Sequence, residues 1–134
     1  MTTVIFACVH NAGRSQMAAA FFNALADPTH ARAVSAGTQP ADRVNPVVVE
    51  AMREAGLDIS GAVPQKLTEP VARQASLLVT MGCGDECPYV AGLQRDDWPL
   101  ADPHGRPLPE VRAIRDDVRH RVTALVNARG WGNR

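Results

Sequence analysis

"TVIFACVHNAGRSQMAAAFFNAL", residues 3–25, changes character twice, and those two changes decide how the rest of the chain is read. Thr3 to Ala7 is a continuous apolar run of the buried-strand type. Farther on, Met17, Ala20, Phe21, Ala24 and Leu25 recur at helical spacing until Asp27 and Pro28 stop them. Between the two lies "CVHNAGRS", Cys8 to Ser15, a turn with a thiol at one end and a guanidinium beside the other. The order is strand, tight turn, helix.

The same alternation continues outward. "ARAVSAG" (residues 31–37) reads as a second strand; Asn45 and Pro46 look like the N-cap and first residue of a helix whose buried stripe is Val48, Ala51, Met52 and Ala55, ended by Gly56. "SLLVTM", Ser76 to Met81, is a third buried strand, a weaker fourth is expected near Trp98, and Val111, Ile114, Val118, Val122 and Leu125 outline a long amphipathic C-terminal helix. Alternating strands and helices predict an α/β fold: a parallel sheet covered on both faces, with ligands at the carboxyl ends of its strands. With 134 residues, 46% of them apolar, and no repeat, low-complexity tract or linker, the expectation is one domain over residues 1–134.

Fourteen basic residues balance fourteen acidic ones, so no global field points to nucleic acid or an anionic membrane, and an anion must be held by a local site. The apolar start "MTTVIFACV" has no preceding lysine or arginine and no small-residue cleavage pattern, and no run reaches transmembrane length. Three cysteines in such a chain suit reduced, catalytic or metal-binding thiols better than a disulfide framework, which implies a cytoplasmic protein.

Placed between the first strand and the first helix, the Cys8–Ser15 turn has the makings of an anion site. Successive backbone N–H groups from Val9 through His10, Asn11, Ala12, Gly13 and Arg14, at the positive end of a helix, can cradle a tetrahedral oxyanion. Gly13 is expected where the backbone is strained. Arg14 can close the cradle with a planar, two-pronged contact. The same groups favour the thiolate form of Cys8, the expected nucleophile, and Ser15 is placed to donate a hydrogen bond to its sulfur. Without this context, Cys8 would be a small buried residue and Arg14 a surface charge.

"VIFACVHNAGRSQMAAAFF" resembles the start of the low-molecular-weight protein tyrosine phosphatase family, in particular its arsenate reductase branch. "VSAGTQPADRVNPVVVEAMREAGLDISG" is similar to that family's second strand and helix, "LLVTMGCGDECP" to its redox segment, and "WPLADPHG" to its acid loop. The resemblance implies a three-layer fold with a four-stranded parallel sheet flanked by helices. It also implies a cysteine nucleophile in the anion loop and an aspartate general acid before a proline, here Asp102 and Pro103. A carboxyl group over the loop can protonate the oxygen leaving phosphorus or arsenic; an ordinary Asp-Pro turn is the alternative. Asn11 matches the family's loop asparagine, whose amide would brace a left-handed backbone. His10, unusual for the family, reads as an exposed side chain that as a cation would reinforce the thiolate.

Cys83 and Cys87 separate a reductase from a phosphatase, because reducing arsenate takes two electrons and a thiol pair supplies two on becoming a disulfide. Both follow the third strand, and Gly82 and Gly84 give the backbone freedom to bring Cys83 to Cys8. By resemblance, Cys8 attacks arsenate, Cys83 attacks Cys8, and Cys87 attacks Cys83 to leave a disulfide for thioredoxin, or for mycothiol or another low-molecular-weight thiol. No tightly bound cofactor is implied, and a monomer is expected. Half of a zinc site is the competing reading of the pair, but neither His104 nor His120 belongs to a second close pair of ligands. Some thioredoxin-coupled relatives hold potassium on acidic side chains; Ala19 and Gln65 stand at the matching positions, so no potassium site is expected. Two other functions remain: a phosphatase acting on phosphate monoesters, and a non-enzymatic arsenic-binding protein, against which the proton donor Asp102 counts.

Overall fold

The computed structural model describes residues 2–82 and 92–132. In chain order its elements are β1 (Thr2–Cys8), α1 (Arg14–Leu25), β2 (Ala31–Gly37), α2 (Pro46–Glu54), α3 (Glu69–Ala72), β3 (Leu77–Thr80), β4 (Gln94–Asp97) and α4 (Leu108–Arg129). All four strands are parallel and lie in the order β2-β1-β3-β4. Parallel neighbours cannot be joined by hairpins, so every connection crosses over a face of the sheet, and the carboxyl ends of the strands gather on one edge.

Because side chains alternate along a strand, β1 feeds two cores. Val4, Phe6 and Cys8 belong to the larger one, shared with α1, α2 and α4; Ile5 and Ala7 belong to a smaller one with Ala36, Leu67, Leu78 and Ala72 of α3. Helices therefore cover both faces in three layers, as the alternation of elements predicts. Phe6 is the pivot of the larger core, with its ring centroid 5.9 Å from Phe22 and 5.6 Å from Trp98. Burying one such side chain contributes on the order of 1.5–3 kcal/mol.

The fourth strand lies beside Trp98, as expected, and its residues, "QRDD", are all exposed. It is held by pairing with β3, and its charges discourage further strand addition at the edge. The single turn of α3, capped by Thr68, whose Oγ1 accepts from the Val71 N–H at 3.3 Å, has no periodic pattern to announce it. On α4 the last fully buried side chain is Val126, with Leu125 only partly buried, and the helix ends at Gly130, whose φ of 69° suits a left-handed cap. Among the described residues, no helix is long and apolar enough to cross a membrane.

Candidate active site at the carboxyl edge of the sheet

β1 ends at Cys8 opposite Gly37 of β2, and α1 starts only six residues later, at Arg14. Across that interval every carbonyl is engaged elsewhere. Cys8, Val9, His10 and Ala12 accept from the N–H groups of Thr38, Gln39, Ala41 and Asn45, Asn11 accepts from Gln16 Nε2, and Gly13 accepts from Met17 N–H. A planar trans peptide points its N–H opposite its C=O, so carbonyls turned out to the 38–45 segment leave the amides turned inward. Among the described residues, no partner occupies the N–H groups of His10 to Gly13. Helix α1 adds its own unsatisfied first turn, since its N-cap Gly13 makes no side-chain cap and no acidic residue follows. A loop of inward amides at a helix N-terminus is an anion cradle.

Asn11 is the described non-glycine residue with positive φ, 50°, and it is fully buried. Its amide braces the left-handed turn: Oδ1 accepts from the Gln65 backbone N–H at 2.9 Å, and Nδ2 donates to Ser15 Oγ at 2.7 Å. A backbone N–H can only donate, so the contact with Gln65 settles which end of the Asn11 amide is oxygen. Ser15 Oγ must then accept from Asn11, and its own proton is free for Cys8 Sγ, 2.8 Å away. The Ser15 hydroxyl is thus able to donate to the Cys8 sulfur.

Gly13 takes part for a reason other than strain. Its φ is −143°, outside the left-handed region, but a Cβ there would lie 2.6 Å from Pro103 Cγ. Glycine is required by the close approach of the 100–106 loop. Two further glycines make room for the site, and sequence patterning missed both roles. A Cβ on Gly37 would lie 2.6 Å from the Val9 oxygen and 2.9 Å from the Asn11 nitrogen, and one on Gly82, at φ 105°, would overlap Arg14 Nη1.

Arg14 is nearly buried, with Nη1 donating to the Leu100 carbonyl at 3.3 Å and Nη2 3.7 Å from Asp102 Oδ2. Asp102 itself is half-exposed, and its other oxygen accepts from the His104 N–H at 3.0 Å, an Asx turn that aims the carboxyl group. Cys8, Arg14, Asp102 and Pro103 line one cavity of about 290 Å³, with His10 and His104 at its rim. The cavity thus holds a sulfur, a guanidinium and a carboxyl group around an open cradle, which is what attack on a tetrahedral oxyanion with protonation of a departing oxygen requires.

His10 is exposed and its Nδ1 lies 3.1 Å from the Gln39 carbonyl. Cys83 and Cys87 lie outside the described residues. His120 sits elsewhere, beside Trp98 and Arg121. Among the described residues, no group of three or more His, Cys, Asp or Glu side chains is placed to hold a metal ion. Ala19 is a core residue, and Gln65 donates its side-chain Nε2 to the Ser35 carbonyl at 2.8 Å.

The parallel sheet and the cysteine-to-arginine anion loop define a phosphatase-like α/β protein. The family described as low molecular weight phosphotyrosine protein phosphatase matches residues 3–86, and the chain belongs to it. Among solved structures, the thioredoxin-dependent arsenate reductase of Corynebacterium glutamicum superposes with a TM-score of 0.82 at 38% identity, over 96% of this chain and 61% of that longer one. An arsenate reductase of Staphylococcus aureus (strain Newman) is 34% identical over 122 residues, 87% of this chain and 90% of its own. A glutaredoxin arsenate reductase of Synechocystis is 34% identical over 129 residues, 94% of this chain and 97% of its own.

Proposed function

We propose that this chain reduces arsenate to arsenite, with Cys8 as nucleophile and Cys83 and Cys87 as the pair that supplies the electrons. The Cys8 thiolate displaces an oxygen of arsenate held by the loop amides and Arg14, Asp102 protonates that oxygen as it leaves, and a sulfur–arsenic bond forms. Cys83 then attacks the Cys8 sulfur. A disulfide forms, the sulfur–arsenic bonding pair goes to arsenic, and arsenite departs. Cys87 attacks Cys83 and frees Cys8, leaving a Cys83–Cys87 disulfide that thioredoxin reduces. Such thiol cycling belongs to a reducing compartment, the cytoplasm.

The observation that carries this reading is the Cys8 sulfur, 2.8 Å from the Ser15 hydroxyl, in a loop of free inward amides. The arsenate reductases aligned over nearly the whole chain support the choice of arsenate, and the thioredoxin dependence of the Corynebacterium relative supports thioredoxin. The test is arsenite production with thioredoxin, thioredoxin reductase and NADPH, set beside hydrolysis of an aryl phosphate by the same preparation. Arsenite formation outpacing phosphate release is expected; the reverse order makes the chain a phosphatase.

A further inference from the structure

Gln16 has no place in the chemistry described so far, yet it is a nearly buried polar side chain, 6% exposed, in the first turn of α1. Its Nε2 reaches back to both oxygens of Asn11, the backbone carbonyl at 3.0 Å and Oδ1 at 3.2 Å. We infer that Gln16 is a positioning residue for the Cys8 thiolate, acting through Asn11 and Ser15. This inference rests on Cys8 being the nucleophile.

The contacts have one direction. Gln16 donates to Oδ1 of Asn11 alongside the Gln65 N–H, so two donors hold that oxygen and leave the Asn11 Nδ2 facing Ser15. Ser15 accepts from that Nδ2, which leaves its own proton available to the Cys8 sulfur 2.8 Å away. By holding the Asn11 carbonyl as well, Gln16 also fastens the single left-handed residue of the loop, the point at which the backbone has most to gain by relaxing. Helix glutamines at this third position commonly reach back to the turn before the helix. Here the amide serves as donor to the loop and not as acceptor from the cap. Without it, one donor remains on Oδ1, none remains on the Asn11 carbonyl, and the left-handed turn that presents the Asn11 amide to Ser15 is held less firmly.

The test is the rate at which iodoacetamide alkylates Cys8, followed on the Cys8 peptide by mass spectrometry so that Cys83 and Cys87 do not interfere. It is read as the ratio of the rate at neutral pH to the rate at a pH where every thiol is ionised. A purely structural role for Gln16 changes both rates together and leaves the ratio alone. Gln16→Met keeps the length without the donor, and is expected to lower the ratio about three- to tenfold, a part of what one charge-assisted hydrogen bond contributes. Gln16→Glu keeps the shape but sets a carboxylate against two acceptor oxygens, and should lower the ratio further; it also serves if Gln16→Met does not fold. An unchanged ratio in the variants, with the wild-type ratio well above that of an ordinary thiol, overturns the role of Gln16 and leaves the nucleophile in place. A wild-type ratio no higher than an ordinary thiol's overturns the nucleophile reading and this inference with it.

Discussion

Residues 8–16 and residues 100–106 face the same cavity but are held in different ways. The first loop is fastened from outside itself, its carbonyls bound by the 38–45 segment and its Asn11 amide by Gln65. The second is held mainly by local contacts, His104 N–H on Asp102 Oδ1 and Arg106 on the Asp102 and Pro103 carbonyls. Its ties to the anion loop are Arg14 on Leu100 and Asp102, and Pro103 wedged against Gly13. The 8–16 loop is therefore pre-organised by the sheet edge, whereas Asp102, the proposed acid, is positioned against that loop through Arg14. Arg14 serves both loops at once, and its loss should cost more than the loss of the acid it positions.

That ranking can be broken by mutation. Cys8→Ser and Arg14→Ala should each lower turnover by about a thousandfold or more, the first by removing the nucleophile and the second by releasing both the oxyanion and the 100–106 loop. Arsenite assays at saturating arsenate check this. Asp102→Asn should cost on the order of a hundredfold at neutral pH, and the deficit should narrow as pH falls and solvent takes over as acid; an unchanged rate at neutral pH removes Asp102 from the mechanism. If Arg14→Ala proves milder than Asp102→Asn, the acid loop does not depend on the arginine.

Gly37→Ala sharpens the comparison from the rigid side. The Val9 oxygen and Asn11 nitrogen that its Cβ would meet are backbone atoms and cannot turn away, so denaturant unfolding should show a loss of roughly 1–3 kcal/mol. Gly13→Ala meets the ring of Pro103 instead, which belongs to the loosely held loop, and should disturb activity more than stability.

The smallest effect is expected far from both loops, where Glu54 of α2 pairs with Arg112 and Arg115 of α4. The hydrogen bond from Arg112 holds the Glu54 carboxyl below its ordinary value of 4.5. A carboxylate depressed on folding stabilises the native state above its unfolded value and loses that contribution as pH falls through the folded one. Glu54→Gln should thus lower the melting temperature slightly at neutral pH, with the gap to wild type closing below pH 4.5, and leave turnover unchanged.

Much of this architecture is legible in the residues themselves. The apolar run of β1, the helical spacing after it and the Asn45-Pro46 start of α2 are local patterns, and the structure realises them, down to Asn45 Oδ1 accepting from Val47 N–H at 2.9 Å. The pairing of Cys8, Ser15 and Arg14 is legible for the same reason: one short loop and one helical turn contain it. β4 is legible only as a weak strand near Trp98, because its "QRDD" has no apolar face and is held by its partner β3. Gln16, Gly37 and the close approach of Gly82 to Arg14 were missed because their importance lies in what they touch. A glutamine at the third helical position offers a faint signal, while the two glycines offer none until β2 and Arg14 are placed in space.

The order in which the thiols act is tested directly by Cys87→Ser. In a quenched reaction without thioredoxin, this variant should release one equivalent of arsenite and stop, with peptide mapping after alkylation showing Cys8 bonded to Cys83, because the one disulfide formed before Cys87 acts contains those two sulfurs. Continued cycling of Cys87→Ser when thioredoxin is supplied, with no Cys8–Cys83 bond at any time, would contradict the relay.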